Sequence, residues 1–148
     1  MYKKFPQRLI EALKERELTY HSHDQGIPLS YYYDEELGLD KIFNVITTSF
    51  DPSGVEIVTS VSHKELPVYG VMFHAEKAPF DFGEGYNFSH DMDAIELSVQ
   101  LSNFFVFEAR RSKLRYDFDE LNRNVIQNYQ PEFLNNYESY GYYFDGDL

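Results

Sequence analysis

The sequence contains no cysteine, which removes disulfides, thiolate metal sites and any cysteine nucleophile from the chemistry these residues supply by themselves. Tryptophan is also absent, and positive charge is scarce: 13 Lys and Arg stand against 25 Asp and Glu, for a formal charge of -12. A chain that repels phosphate gains nothing from counterion release, so nucleic acids and anionic membrane surfaces are not expected partners. No apolar run approaches the roughly 18 residues of a spanning helix, and the opening MYKKFPQRLI has no apolar leader core. No membrane segment and no targeting signal is therefore expected within these residues. What the sequence does have is apolar bulk, 43% hydrophobic with 13 Phe and 13 Tyr, far too much for a disordered chain. Its 148 residues amount to a single domain or a partial one.

Phe5-Pro6 followed by Leu9, Ile10, Leu13 and Leu18 predicts an amphipathic helix beginning near Phe5, with Pro6 in its first turn. Residues 21–34 carry Gly26, Pro28 and the Tyr31-Tyr32-Tyr33 run without helical period, and read as a loop with strand pieces. Residues 42–49 (IFNVITTS) and 55–62 (VEIVTSVS) are rich in β-branched side chains, and Asp51-Pro52-Ser53-Gly54 between them is turn chemistry, so they predict a hairpin. After Pro67, the apolar run 68–73 (VYGVMF) predicts a central strand covered on both faces, and Pro79, Gly83 and Gly85 beyond it an irregular connection. Ala94, Leu97, Leu101, Phe104, Phe105 and Glu108 fall mostly on one helical face; Asp93 and Glu96 are spaced as a capping box, and Arg110-Arg111 favour the C-terminal dipole. Residues 112–148 alternate Tyr and Phe with polar residues around Pro131, and predict an extended aromatic tail over the core. The expected class is α/β, with the 93–111 helix packing Leu97, Leu101 and Phe104 on the sheet and part of the apolar surface left uncovered.

His74 and Glu76 stand at the carboxyl end of the predicted strand 68–73, where open α/β sheets place their sites. A histidine is the usual base at neutral pH, and a carboxylate beside it fixes the tautomer and stabilises the imidazolium; two residues apart in extended backbone, both side chains point to one face. The same two residues are also readable as a strand end and a solvated acid. His21 and His23 form an H-x-H pair which, with His63 and His90, could be imagined as a zinc site, although the spacing is not diagnostic. The tyrosines at 31–33 and Tyr137, Tyr140, Tyr142 and Tyr143 could stack on a planar ligand, but aromatics more often close a core or an interface. Asn87-Phe88-Ser89 is a glycosylation sequon, usable only in a secretory compartment.

Residues 67–79, PVYGVMFHAEKAP, resemble gamma-glutamyl hydrolases, whose usual form there is close to PVYGVQWHPEKAP. The likeness continues in Ser89-His90 and in NFFVFEAR at 103–110, which is similar to the family's EFFVNEAR helix; it extends back to MYKKFPQRL at 1–9 and FNVITT at 43–48, and forward to Tyr142-Tyr143-Phe144-Asp145. It covers essentially the whole chain, yet only the family's C-terminal half. The resemblance implies the C-terminal portion of a class I glutamine amidotransferase-like three-layer α/β/α sandwich. It implies an enzyme that cleaves the γ-glutamyl bonds of folate poly-γ-glutamate through a cysteine thioester. By resemblance His74 matches the triad histidine, Glu76 the acidic residue two positions on, and His21 a further histidine near the active site; Lys77 is a candidate for attracting the anionic substrate. No metal and no organic cofactor is implied. The cysteine belongs to an absent N-terminal half, the expected partner, and a homodimer is compatible with the resemblance. A lysosome, a vacuole or the extracellular space is the implied location. Ala75 stands where the family usually has Pro, and Met72 where it often has Gln; loss of the proline frees the backbone between His74 and Glu76. The alternative is a catalytically inactive pseudoenzyme or split subunit acting as a binding module. In either case these residues alone are expected not to hydrolyse γ-glutamyl peptides, because a thioester needs a thiolate.

Overall fold

The computed structural model describes residues 1–83, 87–134, 139–142 and 144; Gly85, Tyr137, Tyr143 and Asp145, singled out above, lie outside the described residues. A 3-10 turn at Tyr2–Lys4 leads into helix α1, Gln7–Glu15, with Pro6 as its N-cap. Strand β1 (Ile27–Pro28) and single-turn helices α2 (Leu29–Tyr32) and α3 (Leu39–Ile42) precede the long hairpin of β2 (Phe43–Phe50) and β3 (Glu56–His63). Strand β4 (Tyr69–Val71), helix α4 (Lys77–Phe80) and the long helix α5 (Met92–Ala109) follow. The chain closes with α6 (Phe118–Asn124), a 3-10 turn at Ile126–Asn128 and strands β5 (Glu132–Leu134) and β6 (Ser139–Gly141).

The fold is mixed α/β. Four strands form one sheet in which β3 pairs antiparallel with β2 along one edge and with β1 and β4 along the other. The hairpin turn forms as its residues predict. The Asp51 carboxylate accepts the backbone N–H groups of Ser53 and Val55, both at 2.9 Å, and Gly54 takes φ 84°, where a side chain would be strained. Inside the hairpin, Thr47 hydrogen-bonds Thr59 at 2.8 Å and also Ser60, which satisfies polar groups that burial would otherwise strand.

The core lies between α1, α5 and the segment after β4: Phe5, Leu9, Leu18, Phe73, Ala78, Ala94, Leu97 and Leu101 form one buried cluster. The helical period of the first segment ends at Glu15, so Leu18 reaches this cluster from outside the helix. Helix α5 buries Leu97 and Leu101 there, whereas Phe104 sits edge-on against Tyr69 of β4 with ring centroids 4.7 Å apart.

Several local expectations are corrected. The cap of α5 is Asp91, whose side chain accepts the Ala94 N–H at 2.9 Å. Asp93 and Glu96 instead reach α1. Asp93 binds Arg8 at 2.6 Å and Arg16 at 2.5 Å, Glu96 binds Arg8, and Arg16 also binds Asp91. The run 68–73 is not a central strand: only Tyr69–Val71 is extended, and among the described residues it pairs with β3 alone. Residues 31 and 32 belong to a helical turn, since α2 lies directly after Pro28. The tail is not simply extended. Asp117 accepts the N–H groups of Asp119 and Glu120 and so starts α6, and β5 and β6 pair antiparallel. Nor does the tail pack away its apolar side chains, because Leu114 is 91% and Phe118 72% exposed. No helix among the described residues is long and apolar enough to cross a membrane.

Candidate functional site

Three residues beyond β4, His74 is held by its backbone. Its N–H donates to the Tyr20 carbonyl at 2.8 Å, an isolated antiparallel bridge that ties the segment after α1 to the segment after β4. Phe73, buried in the core immediately before it, fixes the direction from which the chain arrives. The peptide of His74 is therefore anchored on both sides while its side chain remains 39% exposed.

His74 Nδ1 lies 2.8 Å from Glu76 Oε1. Strand alternation is not what brings them together, for Glu76 has already left extended backbone (φ -89°, ψ -18°) and caps the short helix α4. The two side chains meet across the turn between the bridge and the helix. Burial pushes the Glu76 carboxyl up, but its own backbone N–H, the hydrogen bond from His74 and the charges of His74 and Lys77 outweigh this and hold its pKa below the ordinary value. Glu76 is thus an anion at neutral pH, an acceptor for Nδ1–H, and that tautomer leaves Nε2 with the lone pair a base needs.

His21 is close enough for its charge to feel that of His74. Burial, first, and then the neighbouring charges of His23 and His74 lower its pKa, which keeps it neutral. Its Nδ1 faces His23 Nε2 at 3.1 Å, and its Nε2 faces Thr19 Oγ1 at 3.4 Å. The other histidines are occupied elsewhere: His63 Nδ1 accepts the N–H groups of Glu65 and Leu66, and His90 Nδ1–H donates to the Ala78 carbonyl at 2.8 Å. No group of three metal-ligating side chains is gathered among the described residues. Lys77 is not presented to solvent as an isolated cation but pairs with Asp81 at 2.5 Å, and that bond, first, holds the Asp81 carboxyl below the usual carboxylate range.

A small cavity of about 10 Å³ lies behind His74, lined by Tyr20, Phe88, Ser89, Leu97 and Ser98 among others. Its two serines are committed: Ser98 donates to the Ala94 carbonyl at 3.2 Å and Ser89 Oγ accepts the Asp91 N–H at 3.2 Å. Sequence reasoning missed Tyr20 and Phe88, whose rings lie tilted against each other with centroids 4.8 Å apart beside His74. Aromatic content alone does not mark them out in a chain with 26 Phe and Tyr (13 of each).

No family model matches the chain. Individual proteins do. It is 31% identical over 148 residues to the gamma-glutamyl hydrolase of Bos taurus, a match that takes in 98% of this chain and 46% of the relative. It is 32% identical over 132 residues to gamma-glutamyl hydrolase B of Dictyostelium discoideum, covering 88% of this chain and 38% of the relative. It is 32% identical over 143 residues to gamma-glutamyl hydrolase 2 of Arabidopsis thaliana, covering 96% and 40%. The chain spans less than half the length of each of these curated relatives.

Proposed function

We propose, from the premise that the chain is a homologue of the gamma-glutamyl hydrolases along nearly its whole length, that it carries the histidine and carboxylate of a γ-glutamyl hydrolase site and acts on a cysteine held by another segment. The observation that carries this reading is the 2.8 Å contact between His74 Nδ1 and Glu76 Oε1. With Nδ1–H held by the carboxylate, Nε2 accepts the thiol proton. The thiolate attacks the γ-carbonyl of the substrate, and the imidazolium returns the proton to the departing amine, leaving a γ-glutamyl thioester. A water then gives a proton to the same Nε2 as it attacks, and the thiol is regenerated as the free γ-carboxyl leaves. Folate poly-γ-glutamate is the substrate that accompanies the homology. A lysosomal, vacuolar or extracellular setting goes with the same reading; Asn87 of the sequon is exposed.

Glu76 acts here through His74 and is a positioning residue. In an enzyme assembled from this chain and a cysteine-bearing segment, Glu76→Gln is expected to lower kcat with KM little changed, and to cost less than loss of His74 itself. A ring-nitrogen NMR measurement separates this from a structural effect: neutral His74 should carry its proton on Nδ1 in the parent and lose that preference in Glu76→Gln. Unchanged kcat together with an unchanged tautomer would contradict the assignment. A second reading, a catalytically silent binding module, is favoured by one observation, the absence of cysteine; it predicts no turnover in any combination.

A further inference from the structure

The contact between His74 and Glu76 depends on where helix α4 sits. Glu76 is the residue from which α4 starts, so any shift of that single turn carries the carboxylate with it. A helix of four residues has carbonyls with no following turn to bond and cannot fix its own position. The Lys77–Asp81 pair lies within α4 and its C-cap, and does not fasten the turn to the rest of the chain. A polar tie from outside comes from His90, whose Nδ1 lies 2.8 Å from the Ala78 carbonyl. A carbonyl can only accept, so His90 holds its proton on Nδ1 and donates it. Ala78 is buried, with 7% exposure, where a carbonyl left without a donor would be costly.

His90 is itself firmly placed. It immediately precedes Asp91, the cap of α5, and Ser89 on its other side accepts the Asp91 N–H; Asp91 in turn pairs with Arg16. Its imidazole is stacked on Phe82, with ring centroids 4.5 Å apart and planes 12° from parallel, and lies 4.9 Å from the Phe88 ring. Phe88 meets Tyr20 at 4.8 Å. Tyr20 meets His74 twice, by its ring at 5.9 Å and by the carbonyl that accepts the His74 N–H. From His90, then, a hydrogen bond leads through α4 to Glu76, and a row of rings leads to His74.

We infer that His90 is a positioning residue for this site: its Nδ1–H bond to the Ala78 carbonyl fixes the turn across which Glu76 meets His74, and so holds His74 in the tautomer that leaves Nε2 free to act as a base. His90 does this without touching His74 or Glu76 directly, by deciding where α4 lies against the start of α5. Displacements of a fraction of an ångström matter at such a site, because the carboxylate must stay within hydrogen-bond reach of Nδ1. This deepens the reading given under Proposed function and rests on it for the reaction, whereas the geometry it invokes belongs wholly to this chain.

The test is ring-nitrogen NMR on the full 148-residue chain. In the parent, neutral His90 should carry its proton on Nδ1, and so should neutral His74. His90→Phe keeps an aromatic ring but removes the donor, and the Nδ1 preference of His74 should be lost, as in Glu76→Gln. His90→Asn gives up the ring but presents an amide N–H where Nδ1–H stood, and should restore the preference. Added to Glu76→Gln, His90→Phe should change the His74 tautomer no further, because it acts through that carboxylate. In the enzyme assembled with a cysteine-bearing segment, His90→Phe should lower kcat by about tenfold or more, with KM little changed. A His90 proton on Nε2 in the parent would overturn the inference without recourse to any variant, and so would an unchanged His74 tautomer in folded His90→Phe. The tautomer change without turnover in any combination would remove the catalytic reading and leave the positioning role intact. Turnover with kcat unchanged by His90→Phe would do the reverse.

Discussion

In the enzyme assembled from this chain and a cysteine-bearing segment, His74→Ala is expected to lower turnover by about 10²–10⁴-fold, with KM changed little. The imidazole is asked to take a proton from the thiol, return it to the leaving amine and then activate water, so its removal touches every step. Among the described residues no neighbour is placed to replace it. His21 is neutral, but its two ring nitrogens face His23 at 3.1 Å and Thr19 at 3.4 Å, and its substitution by Ala should cost far less. Stability should be nearly unaffected by His74→Ala, because the bond that anchors residue 74 is made by its backbone N–H to Tyr20. Steady-state kinetics on both variants, with thermal melts alongside, check this. Activity of the His74 variant within about threefold of the parent would remove the general base from the account.

Leu9→Ala is expected to be the most destabilising single truncation, by about 2–5 kcal/mol, or a fall in melting temperature of roughly 5–15 °C for a chain of this size. Leu9 is 0% exposed and sits in the cluster that joins α1 to α5 through Phe5, Leu18, Ala94, Leu97 and Leu101. The cavity left by its side chain cannot be filled without moving one helix against the other. Ion pairs from Arg8 and Arg16 to α5 do not offset the loss, since their side chains are 60% and 46% exposed and such pairs contribute about 0–1 kcal/mol each. Leu114→Ala, at a side chain 91% exposed, should change stability by no more than about 0.5 kcal/mol. Equal melting temperatures for the two variants would contradict the placement of the core.

How far the sequence was legible depends on whether the cause was local. The hairpin was readable because β-branched runs and Asp51-Pro52-Ser53-Gly54 carry their own geometry, and α5 because its apolar period is long. Its start was misplaced by two residues. Asp93 and Glu96 have the spacing of a capping box, but their carboxylates serve Arg8 and Arg16, partners far away in sequence, and Asp91 caps instead. The apolar run after Pro67 correctly marked a strand yet overstated it, because hydrophobicity cannot distinguish a strand covered by this chain from one whose far edge is left open. Helix α6 is short, with Phe118 and Leu121 exposed, so no apolar stripe announced it. At the site, His74 and Glu76 were visible as residue types at a strand's end. The turn that joins them and the Tyr20 carbonyl that pins them are backbone features with no side-chain signature. The pairing of Lys77 with Asp81, four residues on, follows from the helical i, i+4 spacing.

The most direct test of the central claim is hydrolysis of a folate poly-γ-glutamate, measured with the purified 148-residue chain alone and again with the cysteine-bearing remainder of a gamma-glutamyl hydrolase relative added. The account predicts no turnover by the chain alone, which has no cysteine, and turnover in the combination that disappears when His74 is replaced. Turnover by the chain alone that is lost in His74→Ala would contradict it, because these residues would then carry a nucleophile that the account assigns to the partner segment.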